Sequence, residues 1–428
     1  MFVITSLTVE AGGTTTVACG LAEALVGRGH HVTIATLATA GTPAEASVAV
    51  ERFRPDREGS ALAASRQMRA WLAAHAAGFD VVQIHGIWQR PGHYAARAAR
   101  AARVPYLVRP EGMLDRNSLA LGRRWAKRIA WWLWDGPTAR HAAAVHCLSQ
   151  AEYRVSPWIH GRPTVVIGNG VARDVFDAPP PRETFRRGLK TPGTARGADV
   201  GLGSGNGVMK NGDAHAGVGG RRDWQHCPMA LFLGRVHPKK GLDRFLPAWR
   251  AVLAGHPDAV LVIAGTGETA YVEALHELCR REGIEDSVVW VGQLTGRDKC
   301  AALVDADVFV LPSHQEGFSL AITEAMAAAC PVVITRACNF DEVTTANAGV
   351  VVDGGDMQRF AAEVSLLLGD AGRRRGMGGN GRELVRKKYT WSAIAEQMER
   401  VYEAVVAGKP LPEDLRPGPP GASRPRER

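Results

Sequence analysis

Residues 308–334 read VFVLPSHQEGFSLAITEAMAAACPVVI, and their pattern sets the fold. Val308, Phe309, Val310 and Leu311 form an unbroken apolar run closed by Pro312, as expected of a strand buried on both faces of a parallel sheet. A polar loop follows, from Ser313 to Gly317, and then helix formers from Ser319 to Ala329 until Pro331 stops them ahead of a second apolar run at 332–334. The result is one strand-helix-strand unit.

The same alternation recurs on both sides. Residues 2–5, 32–35, 81–84, 106–108, 145–147 and 165–167 are candidate strands, and ALFLG, AVLVIAG, SVVWVG, VFVLP, PVVI and GVVVD repeat the scheme between 230 and 352. Strands alternating with helical segments imply doubly wound parallel sheets. The expected architecture is α/β, with two Rossmann-like domains at 1–177 and 229–390, and a helix at 391–408 packing back on the first. Residues 178–228, with PPP and GLGSGNG, read as a flexible Gly/Pro-rich linker insertion, and 409–428, rich in Pro, Gly and Arg, as a disordered tail.

Composition narrows the function. Hydrophobic content of 46% against 22% charged residues suits a globular protein, and no apolar run reaches the roughly 18 residues that span a bilayer. The first residues, MFVITSLTVEAGG, enter a strand at once without a basic leader, and the seven cysteines lack any C-x-x-C pair. Both features point to a reducing cytoplasm and away from a zinc site. A net charge of +9 suits acidic partners, yet no nucleic-acid-binding signature is present.

Local chemistry refines this. The N–H groups of Phe318, Ser319 and Leu320, at a helix start, and Gly317, which lacks a Cβ, make an anion site. Glu316 and Glu324 flank it. A carboxylate beside a phosphate is unfavourable unless it accepts from hydroxyls, so a nucleotide sugar is the economical ligand. Gly12 and Gly13 follow the first strand and form either a ligand-facing turn or a plain tight one. Arg235 and Lys240, in FLGRVHPKKGLD, offer fixed cations to a departing diphosphate. Gly292 ends a strand on the same edge. His85 and Glu111 end two strands of the first domain, with Glu111 read either as a base toward an acceptor hydroxyl or as a structural partner of an arginine. Asp305-Ala306-Asp307 reads as a cap or solvated pair more readily than as metal ligands. At about 100° per residue, Trp125, Ile129, Trp132 and Leu133 line one helix stripe opposite Arg124, Lys127 and Arg128. That stripe suits either packing on its own domain or an anionic membrane surface.

The spacing of Glu316 and Glu324 followed by AMAAACPVV, together with Arg235 and Lys240, resembles the signature of retaining family 4 glycosyltransferases of GT-B fold, in their polysaccharide-assembling branch. The resemblance implies two domains facing a cleft, with Glu316 by the donor hexose, Glu324 at the ribose hydroxyls, Arg235 and Lys240 at the diphosphate, and neither cofactor nor metal. It implies a UDP-, GDP- or ADP-linked donor, a glycan or lipid-linked acceptor, and work at the inner membrane face. The chain departs from the family at three places: Glu111, where histidine or arginine is usual, Ala329, where glycine is usual, and Gly168, where proline is common. An epimerase of the same fold and a catalytically weakened nucleotide-sugar or glycan-binding protein are the alternatives.

Overall fold

The apolar runs pair in parallel throughout. In the computed structural model, which describes residues 1–8, 13–43, 46–114, 124–172, 174–189, 224 and 226–418, the first sheet holds β1 (Phe2–Ser6), β2 (Thr33–Leu37), β3 (Ala49–Phe53), β4 (Val82–His85), β5 (Tyr106–Arg109), β6 (Ala144–Cys147) and β7 (Thr164–Val166). Their order is β3-β2-β1-β4-β5-β6-β7. The helices beside them are α1 (Gly13–Val26), α2 (Arg66–His75), α3 (Arg90–Ala101), α4 (Arg124–Ala130), α5 (Gly136–Arg140) and α6 (Gln150–Val155). α2 shows the local logic: the Ser65 hydroxyl caps it by accepting from the Met68 N–H at 3.2 Å, while Met68 and Leu72, one turn apart, are buried. β3 escaped the sequence reading because it is an edge strand whose Ala49, Glu51 and Arg52 face solvent, so it carries no apolar run.

The second sheet holds β8 (Met229–Leu233), β9 (Val260–Ala264), β10 (Val288–Gly292), β11 (Val308–Leu311), β12 (Val332–Thr335) and β13 (Gly349–Val352), in the order β10-β9-β8-β11-β12-β13. Every residue of β8, β9, β11 and β12 is buried, as a sheet covered on both faces requires. Its helices are α7 (Leu242–Gly255), α8 (Thr269–Glu282), α9 (Gly296–Asp305), α10 (Leu320–Ala327), α11 (Met357–Gly369) and α12 (Ala371–Lys388). Phe245 of α7 meets Phe360 of α11 ring to ring at 5.1 Å in this core.

Two compact units result: Met1–Arg173 with Glu316–Leu320 and Val385–Arg428, and Asp174–Gln315 with Ala321–Leu384. The boundaries differ from those expected at three places. The loop 316–320, read from sequence as part of the second domain, packs with the first unit, and the chain returns to that unit at Val385, ahead of residue 391. Residues 178–189, expected to be flexible, are pinned: the Asp305 carboxylate accepts from the N–H groups of Phe185 at 2.7 Å and Arg186 at 3.1 Å. The Arg186 guanidinium in turn reaches the Asp305 carbonyl at 2.8 Å and the Asp307 carboxylate at 2.7 Å. Both carboxylates of the Asp-Ala-Asp triplet are thus engaged in holding this segment, while residues 190–223 lie outside the described residues. Residues 409–418 of the expected tail make defined contacts. Asp414 pairs with Arg400 at 2.6 Å, Leu415 is buried, and the Gly418 N–H donates to Gln150.

The last helix, α13 (Trp391–Val406), belongs to the first unit. The Trp391 ring fills the space over Gly20 and Gly170, where an added Cβ would lie 2.3 and 2.4 Å from it. Glu399 of α13 accepts from Arg28 and from His30 at 2.8 Å.

Candidate active site

Each sheet has the strand order in which chain connections depart in opposite directions from two central neighbours, leaving a crevice at their carboxyl ends. In the second unit those neighbours are β8 and β11. The loop after β8 carries exposed Arg235 and half-buried Lys240, and a single 3₁₀ turn, Pro238–Lys240, aims the lysine. Gly241 closes that turn at φ +71°, where an added Cβ would fall 2.1 Å from the Pro312 carbonyl oxygen. Only glycine fits, and the His314 N–H completes the contact by donating to the Lys239 carbonyl at 2.7 Å. The β8 loop is thereby drawn against the end of β11. Burial, followed by the charges of Arg235, Lys239 and Lys240, holds His237 below its usual pKa, so three basic side chains crowd this short stretch. Glu324 of α10 is half-buried and takes a 2.7 Å bond from Lys299 of α9. Gly292 ends β10, the outer strand, two strands away from β8.

In the first unit the crevice lies between β1 and β4. A cavity of about 750 Å³ opens at their carboxyl ends, lined among others by Ser6, Thr39, Arg57, His85, Gln89 and Met113. Gly13 begins α1, which Thr15 fixes by donating its hydroxyl to the Thr8 carbonyl at 2.9 Å; Gly12 lies outside the described residues. His85 and Glu111 do come together: His85 Nδ1 is 3.2 Å from the Glu111 carboxylate, which also lies 2.9 Å from Arg109 Nε. Tyr402 donates to the Gln83 carbonyl oxygen, which leaves the Gln83 amide to donate to His85 Nε2 at 3.1 Å. The His85 proton therefore sits on Nδ1, toward Glu111. Burial lowers the His85 pKa. Burial also opposes ionisation of Glu111, but Arg109 and His85 overcome it and hold the carboxyl below its usual value. Glu111 sits at φ +57° with its side chain only 8% exposed. Glu111 is therefore paired with an arginine, as one of its two readings expected.

Behind this pair is a buried polar layer. His146 donates Nε2–H to the Ile167 carbonyl at 2.8 Å, and burial plus Arg109 push its pKa down to about 3. Glu152 accepts from the Gly112 N–H at 2.7 Å and the Leu148 N–H at 2.6 Å, tying the loop after β5 to the loop after β6, and burial raises it to about 7. Ser149 caps α6 and donates to the Gly317 carbonyl at 3.2 Å, so the stretch bearing Glu316 leans on the same layer. Phe318 lies 5.8 Å from the Tyr389 ring, and an added Cβ at Gly168 would strike both rings at 2.8 and 2.9 Å. That contact is why glycine stands at 168.

Residues 12–170 match the family described as "Glycosyl transferase 4-like domain", and residues 225–384 match "Glycosyl transferases group 1". The chain belongs to the family 4 type of glycosyltransferases, with the GT-B fold. Over 184 residues it is 29% identical to the GDP-mannose-dependent monoacylated alpha-(1-6)-phosphatidylinositol monomannoside mannosyltransferase of Corynebacterium glutamicum, covering 41% of this chain and 47% of that protein. The chain thus spans about half the length of the curated relatives it matches. Among solved structures, sucrose-phosphate synthase from Thermosynechococcus elongatus superposes with a TM-score of 0.69 at 20% identity, over 95% of this chain and 99% of that one. Anabaena HepE in complex with UDP-glucose gives 0.68 at 18%, over 94% and 98%. At these identities the superpositions establish the fold alone.

Within that family frame, sequence reasoning missed Arg109, His146, Glu152 and Lys299. Ser149 and Glu152 do carry a visible signal, the S-x-x-E capping pattern. Ser149 caps as that pattern demands, accepting from the Glu152 N–H at 3.1 Å, but the glutamate serves Gly112 and Leu148 instead of reaching back. Arg109, the last residue of β5, and His146, inside β6, are fully buried polar residues and carry no local mark of a role. No helix among the described residues is long and apolar enough to cross a membrane.

Proposed function

We propose that the chain is a retaining hexosyltransferase, moving a hexose from a UDP-, GDP- or ADP-linked donor to a hydroxyl of a glycan or lipid-linked acceptor in cell-surface or exopolysaccharide synthesis in the cytoplasm. The observation that carries this reading is that the loop bearing Arg235 and Lys240 is drawn against the end of β11 at the switch point of the second sheet, through Gly241 against Pro312. In transfer, the C1–O bond to the diphosphate breaks and the acceptor oxygen bonds C1 on the same face. The acceptor proton leaves with a diphosphate oxygen. Arg235 and Lys240 meet the charge that builds on the leaving group, and α10 directs the positive end of its dipole to the same edge. Glu316 takes hexose hydroxyls. Glu324 takes the ribose hydroxyls, since an ionised carboxylate has more acceptor sites than Lys299 uses. The first unit's cavity, with its Ser6 and Thr39 hydroxyls, is the acceptor side.

The test is nucleotide release from a panel of UDP, GDP and ADP sugars in the presence of acceptor extract. Lys240→Ala and Glu316→Ala should each lower kcat by about 100-fold or more while the protein stays folded; full activity in either variant refutes the assignment. Donor consumed without any acceptor would identify an epimerase, and donor bound without release would identify a binding protein.

A further inference from the structure

The loop after β8 is held from both sides. On one side the Val236 N–H donates to the Thr266 carbonyl at 2.8 Å, in the loop after β9. The two loops lie so close that a Cβ on Gly267 would fall 2.1 Å from the Val236 carbonyl oxygen. On the other side Gly241 presses on Pro312. Residues 236–241 are thus clamped by the ends of both neighbours of β8 in the sheet, β9 and β11. A polar group on so short and fixed a stretch has little freedom to lose when a ligand arrives.

His237 is such a group. Its Nδ1 accepts from the Lys239 N–H at 3.1 Å, capping the turn Pro238–Lys240, and its carbonyl oxygen accepts from the Lys240 N–H at 2.8 Å. An imidazole that accepts at Nδ1 is the neutral tautomer with its proton on Nε2, since a second proton would break the cap. That Nε2–H meets no acceptor among the described residues. Glu268, in the loop after β9, is the acid whose charge reaches the ring, without a hydrogen bond between them. The side chain is half-buried, and Arg235, Lys239 and Lys240 are near enough for their charges to act on it. An N–H donor of fixed direction converging with cations suits a phosphate oxygen.

We propose that His237 is a further catalytic residue, whose Nε2–H donates to an oxygen of the diphosphate as it leaves the hexose; the assignment rests on the sugar-transfer reading. When the C1–O bond breaks, its electron pair passes to the diphosphate. The imidazole keeps its proton throughout and stabilises the departing oxygen by a hydrogen bond, beside the charges of Arg235 and Lys240.

Two substitutions separate this role from the cap. His237→Asn keeps an oxygen in place of Nδ1, and asparagine is a favoured cap, but it has no N–H at the reach of Nε2. His237→Gln gives up the cap acceptor and can set an amide N–H near the place of Nε2. In steady-state transfer by the full chain, His237→Asn should lower kcat by about tenfold or more while donor KM changes less than about threefold, because the charge on the leaving oxygen develops in the transition state. His237→Gln should keep more of kcat than His237→Asn. Calorimetry with UDP, GDP and ADP against the matching monophosphates gives a readout that needs no transfer. His237→Asn should weaken binding of the diphosphate by about tenfold and that of the monophosphate by less than about twofold. Wild-type kcat and diphosphate binding in His237→Asn, or a His237→Gln variant less active than it, overturns the proposal, since the ring would then only cap its turn. A wild type that binds diphosphate but transfers no sugar refutes the transfer reading instead, and the calorimetry still decides whether Nε2 meets the diphosphate.

Discussion

Replacing Ala329 by glycine should stabilise the second unit, and the size of the effect follows from the way α10 ends. The Ala329 N–H donates to the Met326 carbonyl and the Cys330 N–H to the Ala325 carbonyl, each at 3.0 Å. This paired closure puts the residue after the cap in the left-handed region, and Ala329 is there at φ +57°. The position has no room to relax, because its carbonyl oxygen lies 2.0 Å from where a Cβ on Gly378 of α12 would stand. An L-residue held left-handed costs about 1–2 kcal/mol. Glycine removes that cost but returns about 0.4–1 kcal/mol through its freer unfolded chain. It also gives up a half-buried methyl, about 0.4 kcal/mol by area. The net gain is about 0.5 kcal/mol, or about 1–2 °C for a unit of this size. Urea unfolding of the full chain, followed by tryptophan fluorescence, should show a midpoint shifted up for Ala329→Gly and down by about 1 kcal/mol or more for Ala329→Val, whose branched side chain fits the left-handed region worse. A destabilised glycine variant, or a neutral valine one, would refute the strain argument. Transfer should stay within about twofold, because the cap holds the far end of the helix that carries Glu324.

The buried titratable layer yields two further expectations. Glu152 has a pKa of about 7 in the fold against an ordinary 4.5, so the native state binds more protons than the unfolded one between these values, and stability falls as pH rises through that window. Glu152→Gln should flatten the decline by on the order of 3 kcal/mol at most, read from denaturant midpoints across pH; parallel profiles would show that the carboxyl does not titrate there. His146 works in the opposite direction. Neutral in the fold down to about 3, it contributes stability that is present above the ordinary 6.5 and is lost as pH falls through the window. A His146→Gln variant should therefore show a shallower loss on the acid side, and an unchanged acid slope would count against a buried neutral imidazole.

The sequence by itself determined the architecture. Unbroken apolar runs such as those of β8, β9 and β11 suit only strands covered on both faces, and the spacing between them forces parallel crossovers. It also nominated Arg235, Lys240 and Glu316, because residues that follow a strand announce themselves by where the apolar run stops, and Glu324 on the helix after them. The tertiary structure alone decided what depends on distant segments meeting. Arg109, His146 and Glu152 became one layer because β5 and β6 are neighbours in the sheet, and burial then set their charges. Gly168 was explained only by the rings of Phe318 and Tyr389, more than a hundred residues away. The direction of the tryptophan stripe was undecidable from periodicity, which gives the angle between the two faces of a helix but not which one meets the core; the π-helical turn Trp131–Asp135 and the seat of Trp131 on Trp158 turned it outward.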